Sequence, residues 1–315
     1  MANVVDAYLA EKYSDNEEVR DALVDLHCRY TEWNLKDNNF DQEFINGRDE
    51  QFYPRIWEML LAQHFKDHNL NISSKEEGPD FKIEHDNQTI WVEAICPMPT
   101  GIDDDWIDGR GIRTKANVRD VPIIEMQLRF TAAIKEKMEK RNGRVRWGEE
   151  KRAEIWAPGW MAQKIIGVND PYVIAISSNR LALGSQFSHT GISGFPFAAE
   201  VALGIGPLQI SVDRVTGEKR EHNTYRDSIP NANGADVPSD IFRRSEYAGI
   251  SAILSSPAGI NAACGGDCPI VIVHNPKAEN PLPKNILGAD EEIWSENSDD
   301  GYEIIRRPKG ANQGC

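Results

Sequence analysis

The chain contains no apolar run of 18 residues, so no membrane-spanning helix is expected. No basic-then-apolar stretch opens it, so no secretory leader is expected either, and the cytoplasm is the expected location. Cysteine is sparse: Cys28, Cys96, Cys264, Cys268 and Cys315 are an odd set without framework spacing, which fits a reducing compartment rather than a disulfide scaffold. Cys264 and Cys268 with His274 nearby lack the further ligand that a structural zinc site requires, and a Gly-rich surface loop is the expected reading. The glycine-rich stretch 184–206 has no GxxxxGK[ST], which argues against a phosphate-cradling P-loop. A GxSxG nucleophile turn is also missing. Asp103, Asp104, Asp105 and Asp108 lack the Gly and Glu positions of a calcium loop, so that segment reads as a loop able to close over a neighbouring site.

Basic residues are in deficit: 35 Lys and Arg against 50 Asp and Glu give a net charge of −15. Such a balance argues against indiscriminate coating of nucleic acid. The deficit is uneven. Residues 1–50 hold thirteen acids and five bases, whereas residues 129–152 hold nine bases and four acids. Tryptophans at 147, 156 and 160 lie in or near this basic stretch, where they either stack on bases or pack in the core.

What the chain does have is a compact motif at residues 78–97, GPDFKIEHDNQTIWVEAICP. It reads as a β-hairpin turning at Asp86-Asn87. With a two-residue turn, His85 pairs with Gln88 and Asp80 stands opposite Glu93. Opposed side chains on such a ladder have Cβ atoms ~4.5–5.5 Å apart, and two like charges there repel. Glu93 lies inside the apolar run Ile90–Cys96, where a buried carboxylate costs several kcal/mol unless it is paired. A divalent cation shared by the two acids would offset both penalties, and Mg²⁺ is held by one or two carboxylates plus waters. The alternative is a Glu93 that points to solvent from an edge strand.

Helical spacing appears at 17–35, with Asn16 as N-cap, and at 50–68, where Glu58 borders the apolar stripe through Leu61, Ala62 and Phe65. In 122–141, Arg129, Ala133 and Lys137 share one stripe and Leu128, Thr131, Ile134 and Met138 another. Residues 142–166 read as a turn-rich insertion and a short helix, and 171–176 as a buried strand parallel to the hairpin. Residues 208–225 read as a hairpin turning at Thr216-Gly217, and Pro269–Pro276 as the last strand, with an irregular acidic segment beyond Pro283.

Pro79-Asp80, Glu93-Ala94 and the preceding acid Glu58 resemble the PD-(D/E)XK, or restriction-endonuclease-like, nuclease superfamily. The segments RIWEMLL, LRFTAAIKEK, PYVIAIS, ISAILSS and VHNPKAENPLP extend the likeness, to a branch of bacterial proteins, over most of residues 48–285. The resemblance implies an α/β fold with a mixed central sheet: a helical N-terminal layer (1–47), a nuclease core (48–180) and a C-terminal α+β extension (181–315). It implies Mg²⁺ or Mn²⁺ on Asp80 and Glu93, Glu58 as a third acid, and DNA as substrate, with RNA and a homodimer left open. The family's usual lysine position, two residues after the glutamate, is Ile95. Lys137 is therefore the expected replacement, with Lys82 as second candidate and Arg129 as a phosphate-binding residue. The rival expectation is a binding module that has lost catalysis.

Overall fold

The computed structural model describes residues 4–74, 77–107, 121–147, 154–181, 190–298 and 301–309. Three helices, α1 (Val4–Lys12), α2 (Glu17–Glu32) and α3 (Phe40–Ile45), precede the long α4 (Asp49–Asp67). There follow β1 (Asn71–Ser73), β2 (Phe81–His85), β3 (Gln88–Ile95), the single turn α5 (Asp104–Ile107), α6 (Ile123–Asn142), β4 (Gly143–Trp147), β5 (Glu154–Pro158) and β6 (Tyr172–Ser177). The remainder holds α7 (Phe197–Leu203), β7 (Ile205–Val212), β8 (Lys219–Tyr225), β9 (Ser228–Pro230), β10 (Asp236–Pro238), β11 (Ala252–Ser256), α8 (Ile260–Ala263), β12 (Val271–His274), β13 (Glu291–Ser298) and β14 (Gly301–Pro308).

Eight strands form one mixed sheet in the order β1-β2-β3-β6-β11-β12-β13-β14, which makes the protein α/β. The β2–β3 hairpin is antiparallel, with His85 opposite Gln88 and Phe81 opposite Val92. Asp86 and Asn87 have φ of 45° and 64°, the left-handed backbone of a two-residue turn whose twist matches that of the strands. β3 then pairs in parallel with β6, and β6 with β11, and these inner strands are buried on both faces.

Side-chain alternation sorts the strands into two apolar layers. Ile90, Val92, Val173 and Ala175 face the layer built with α1–α4, which includes Trp57, Leu61 and Phe65. Trp91, Tyr172, Ile174 and Ile176 face the layer built with α6 and α7, which includes Phe130, Ile134 and Phe197. Two polar contacts fix the helices to the sheet. The Trp57 indole N–H donates to the Ala175 carbonyl at 3.0 Å, and the Tyr172 hydroxyl donates to the Lys137 carbonyl at 3.1 Å.

Three expectations need correction. The segment beyond Pro283 is not irregular: β13 and β14 pair over eight rungs and extend the sheet, so β12 is not the last strand. Their many acids mask the strand period, although Ile293 and Trp294 are buried. Residues 142–166 hold the β4–β5 hairpin followed by turns rather than a helix; Trp156 stays largely exposed, whereas the Trp160 ring meets Tyr172 edge-on at 6.2 Å. Finally, the sheet runs without a break across residue 180, because the C-terminal part contributes β11 to β14. Asp108 lies outside the described residues, while Asp104 starts α5.

The Trp57 contact gives a stability test. Trp57→Phe keeps most of the apolar volume but leaves the buried Ala175 carbonyl without its indole donor, which should cost about 1–3 kcal/mol in urea unfolding. A loss below about 0.5 kcal/mol would show that this bond does not anchor α4.

Candidate functional site

The β2 ladder begins only at Phe81, because residues 77–80 bend rather than extend alongside β3. The N–H of Ala94 on β3 is thereby left without a main-chain acceptor on that side. Asp80 supplies one: its Oδ2 accepts from Ala94 N at 2.6 Å. This contact holds the Asp80 carboxylate just beyond the end of the ladder, whose last pair is Phe81–Val92.

Glu93 is 2% exposed, in a strand whose neighbours are apolar. Its compensating charge comes from α6. The Lys137 ammonium donates to Glu93 Oε1 at 2.9 Å, and the Lys140 ammonium donates to the same oxygen at 3.0 Å. Lys137 is buried, whereas Lys140 is 46% exposed at the rim. Helix periodicity explains the pair: residues 129, 133 and 137 lie at i, i+4 and i+8, and residue 140 is i+3 from residue 137.

Asp80, Glu93, Glu58, Arg129, Lys137 and Lys140 line one cavity of about 510 Å³. It lies where β3 ends and where α4 and α6 approach from opposite faces of the sheet. The Arg129 Nε is buried and has no hydrogen-bond partner among the described residues. Glu58 also borders this space, but its Oε2 accepts from Arg55 at 2.8 Å, a contact between residues three apart on α4. Lys82 does not line the cavity. It pairs with Glu84, further along β2 towards the turn, and this replaces its expected role beside Asp80.

The charges are strongly coupled. Asp80 opens on the cavity yet is surrounded by protein, and the loss of hydration raises its pKa well above the usual carboxylate value. The Glu93 and Glu58 charges push in the same direction, against Lys137 and the Ala94 N–H. Burial also raises Glu58, with Arg55 opposing. For Lys137, burial acts to lower the pKa, but the Glu93 and Asp80 carboxylates outweigh it and hold the ammonium above the ordinary lysine value.

Seven carboxyl groups against four cationic side chains line the cavity, so acids outnumber bases by three. A donor set of carboxylate oxygens suits a hard divalent cation such as Mg²⁺ or Mn²⁺. Among the described residues no group of three or more His, Cys, Asp or Glu side chains is arranged to hold a metal ion. The chain's share would thus be the Asp80 and Glu93 carboxylates with a strand carbonyl, and such a sparse set fits an ion that keeps most of its waters. No family model, no curated protein and no solved structure matches this chain.

Two site residues, Lys140 and Arg55, were not picked out by pattern. Lys140 counted only as part of the basic stretch, although its spacing from Lys137 was a usable signal. Arg55 reads in sequence as an ordinary helix-surface base, because its partners Asp37 and Glu43 are remote in the chain.

The raised Asp80 pKa has a consequence for stability. Below about pH 4 the carboxyl is protonated in both folded and unfolded chains and has no effect; above it, the folded chain resists ionisation, so stability falls as pH rises towards the folded pKa. In metal-free buffer Asp80→Asn, whose amide oxygen can still accept from Ala94, should therefore melt above the parent protein at neutral pH, with the gap closing as the pH approaches about 4. A variant less stable than the parent at neutral pH would contradict this.

Proposed function

We propose that the chain is a divalent-metal-dependent phosphodiesterase acting on DNA, built on a restriction-endonuclease-like core. The observation that carries this reading is that Asp80 and Glu93 line one cavity with Lys137 bonded to Glu93. Arg129 adds a buried guanidinium Nε without a hydrogen-bond partner among the described residues. Ile95 offers no charge at the position where the resembling nucleases carry lysine, and Lys137 supplies a cation from α6 instead. That contact favours catalysis over a binding-only role.

A bound Mg²⁺ or Mn²⁺ would polarise a phosphoryl oxygen and lower the pKa of its water. The remaining work falls to side chains. Asp80 and Glu93 would hold the ion, with Asp80 oriented by the Ala94 N–H. Lys137 would orient the attacking water and stabilise the added negative charge of the transition state, in a buried setting where a fixed charge acts strongly. Arg129 would grip a nonbridging phosphate oxygen through its fork of donors. The acid excess in the cavity repels a polyanion, so DNA would enter productively only with the cation in place.

Purified protein with Mn²⁺ is expected to nick plasmid DNA. Asp80→Ala and Glu93→Ala should abolish the nicking, and Lys137→Ala should slow it by about 10²–10³-fold, the scale of removing one transition-state donor. Nicking that persists unchanged in both carboxylate variants would place the chemistry elsewhere.

A further inference from the structure

Arg55 is 12% exposed and is saturated by acids drawn from three parts of the chain. Its Nη1 donates to Glu58 Oε2 at 2.8 Å and lies 3.0 Å from Asp37 Oδ2. Its Nη2 donates to Glu43 Oε2 at 2.6 Å, and its Nε donates to the same oxygen at 3.2 Å. The guanidinium carbon sits 4.9 Å from the centre of the Phe40 ring, so the group is held on its flat side as well. Asp37 precedes α3, Glu43 belongs to α3 and Glu58 to α4. Asp37 and Glu43 of the N-terminal helical layer, which line the cavity, are thus tied by this arginine to Glu58 on α4.

The three acids are not equivalent. Asp37 and Glu43 are about a third exposed, so their charges lie within reach of solvent. Glu58 is buried and has little water to share its charge, so Arg55 is its compensating ion. Catalytic sites with two metals hold their ions about 3.5–4 Å apart, bridged and flanked by carboxylates. In this cavity the third carboxylate is already bonded to a cation belonging to the protein. Among the described residues no group of three or more such side chains is arranged around a common ion position.

We infer that Arg55 is a resident cation standing in the place of a second metal: it withholds Glu58 from coordination, so the cavity accepts one divalent ion, at Asp80 and Glu93. The inference rests on the metal-binding reading of those two acids. It makes Arg55 a positioning residue, and it turns the N-terminal layer into the element that sets metal stoichiometry. Because four of the five guanidinium N–H groups face carboxylates, Arg55 is not available to grip phosphate, which leaves that task to Arg129.

Titration calorimetry of the full chain with MnCl₂, paired with electron spin resonance of free Mn²⁺, reads the stoichiometry directly and without turnover. One ion per chain is expected in the parent. Glu58→Gln should still bind one, with a dissociation constant within about threefold of the parent, while Glu93→Gln should lose it. Arg55→Met, which keeps the stem but frees Glu58, should bind two. Should Arg55→Met fail to fold, the Glu58→Gln titration decides alone. Two ions in the parent with one lost in Glu58→Gln, or a weakening of about tenfold or more at a single site in Glu58→Gln, would overturn the inference while leaving the role of Asp80 and Glu93 intact. A folded Arg55→Met that still binds one ion would also overturn it. No saturable binding in the parent would instead remove the metal reading on which it stands.

Discussion

A carboxylate in the middle of a buried strand is the constraint around which this molecule is arranged. Glu93 sits between Val92 and Ala94, on a strand flanked by sheet neighbours on both sides, and water cannot compensate its charge. An unpaired ion there would cost several kcal/mol, enough to consume much of the stability of an ordinary domain. Lys137 and Lys140 from α6 meet it, and α6 is in turn fixed to β6 by the hydroxyl of Tyr172. Asp80, just before β2, has no ammonium or guanidinium bonded to it among the described residues and shares the cation field of Lys137. The arrangement carries two acids where structure alone needs none, at a cost in stability that a binding site has reason to tolerate.

The acid-rich composition does not conflict with the proposed polyanionic substrate, because the charges are segregated. The nine bases of residues 129–152 begin on the helix that faces the cavity, whereas the acids of residues 1–50 lie in the N-terminal layer. Three cationic side chains of α6, Arg129, Lys137 and Lys140, border the same space as Asp80 and Glu93. Asp37, Glu43 and Glu50 are the exceptions that reach the cavity wall, and Arg55 binds the first two.

The parts of this arrangement legible in the sequence were those governed by short-range rules. A two-residue turn fixes register, so the pairing of His85 with Gln88 could be counted outward from Asp86-Asn87 as far as Phe81 and Val92, one residue short of Asp80 and Glu93. Helical periodicity likewise placed Arg129, Ala133 and Lys137 on one stripe, and the same period would have added Lys140. Where tertiary pairing decides, pattern failed. The strands β13 and β14 are rich in glutamate, asparagine and arginine and lack a clean apolar alternation, yet they pair as a sheet edge where charged side chains are tolerated. Lys82 shares a face with Asp80 by strand alternation, but Glu84 on that same face lies nearer to solvent and takes it. The grip of Arg55 on Asp37 and Glu43 depends on how α3 packs beside α4, which no local spacing encodes.

The most direct test is a diffraction experiment on crystals soaked in Mn²⁺, with an anomalous difference map calculated at the manganese edge. A single strong peak within bonding distance of both the Asp80 and Glu93 carboxylates, with the Lys137 ammonium still beside them, is the expected result. An empty site in saturated crystals, or a peak that forms elsewhere while Glu93 remains wholly enclosed by its two lysines, would mean that these acids serve only the fold.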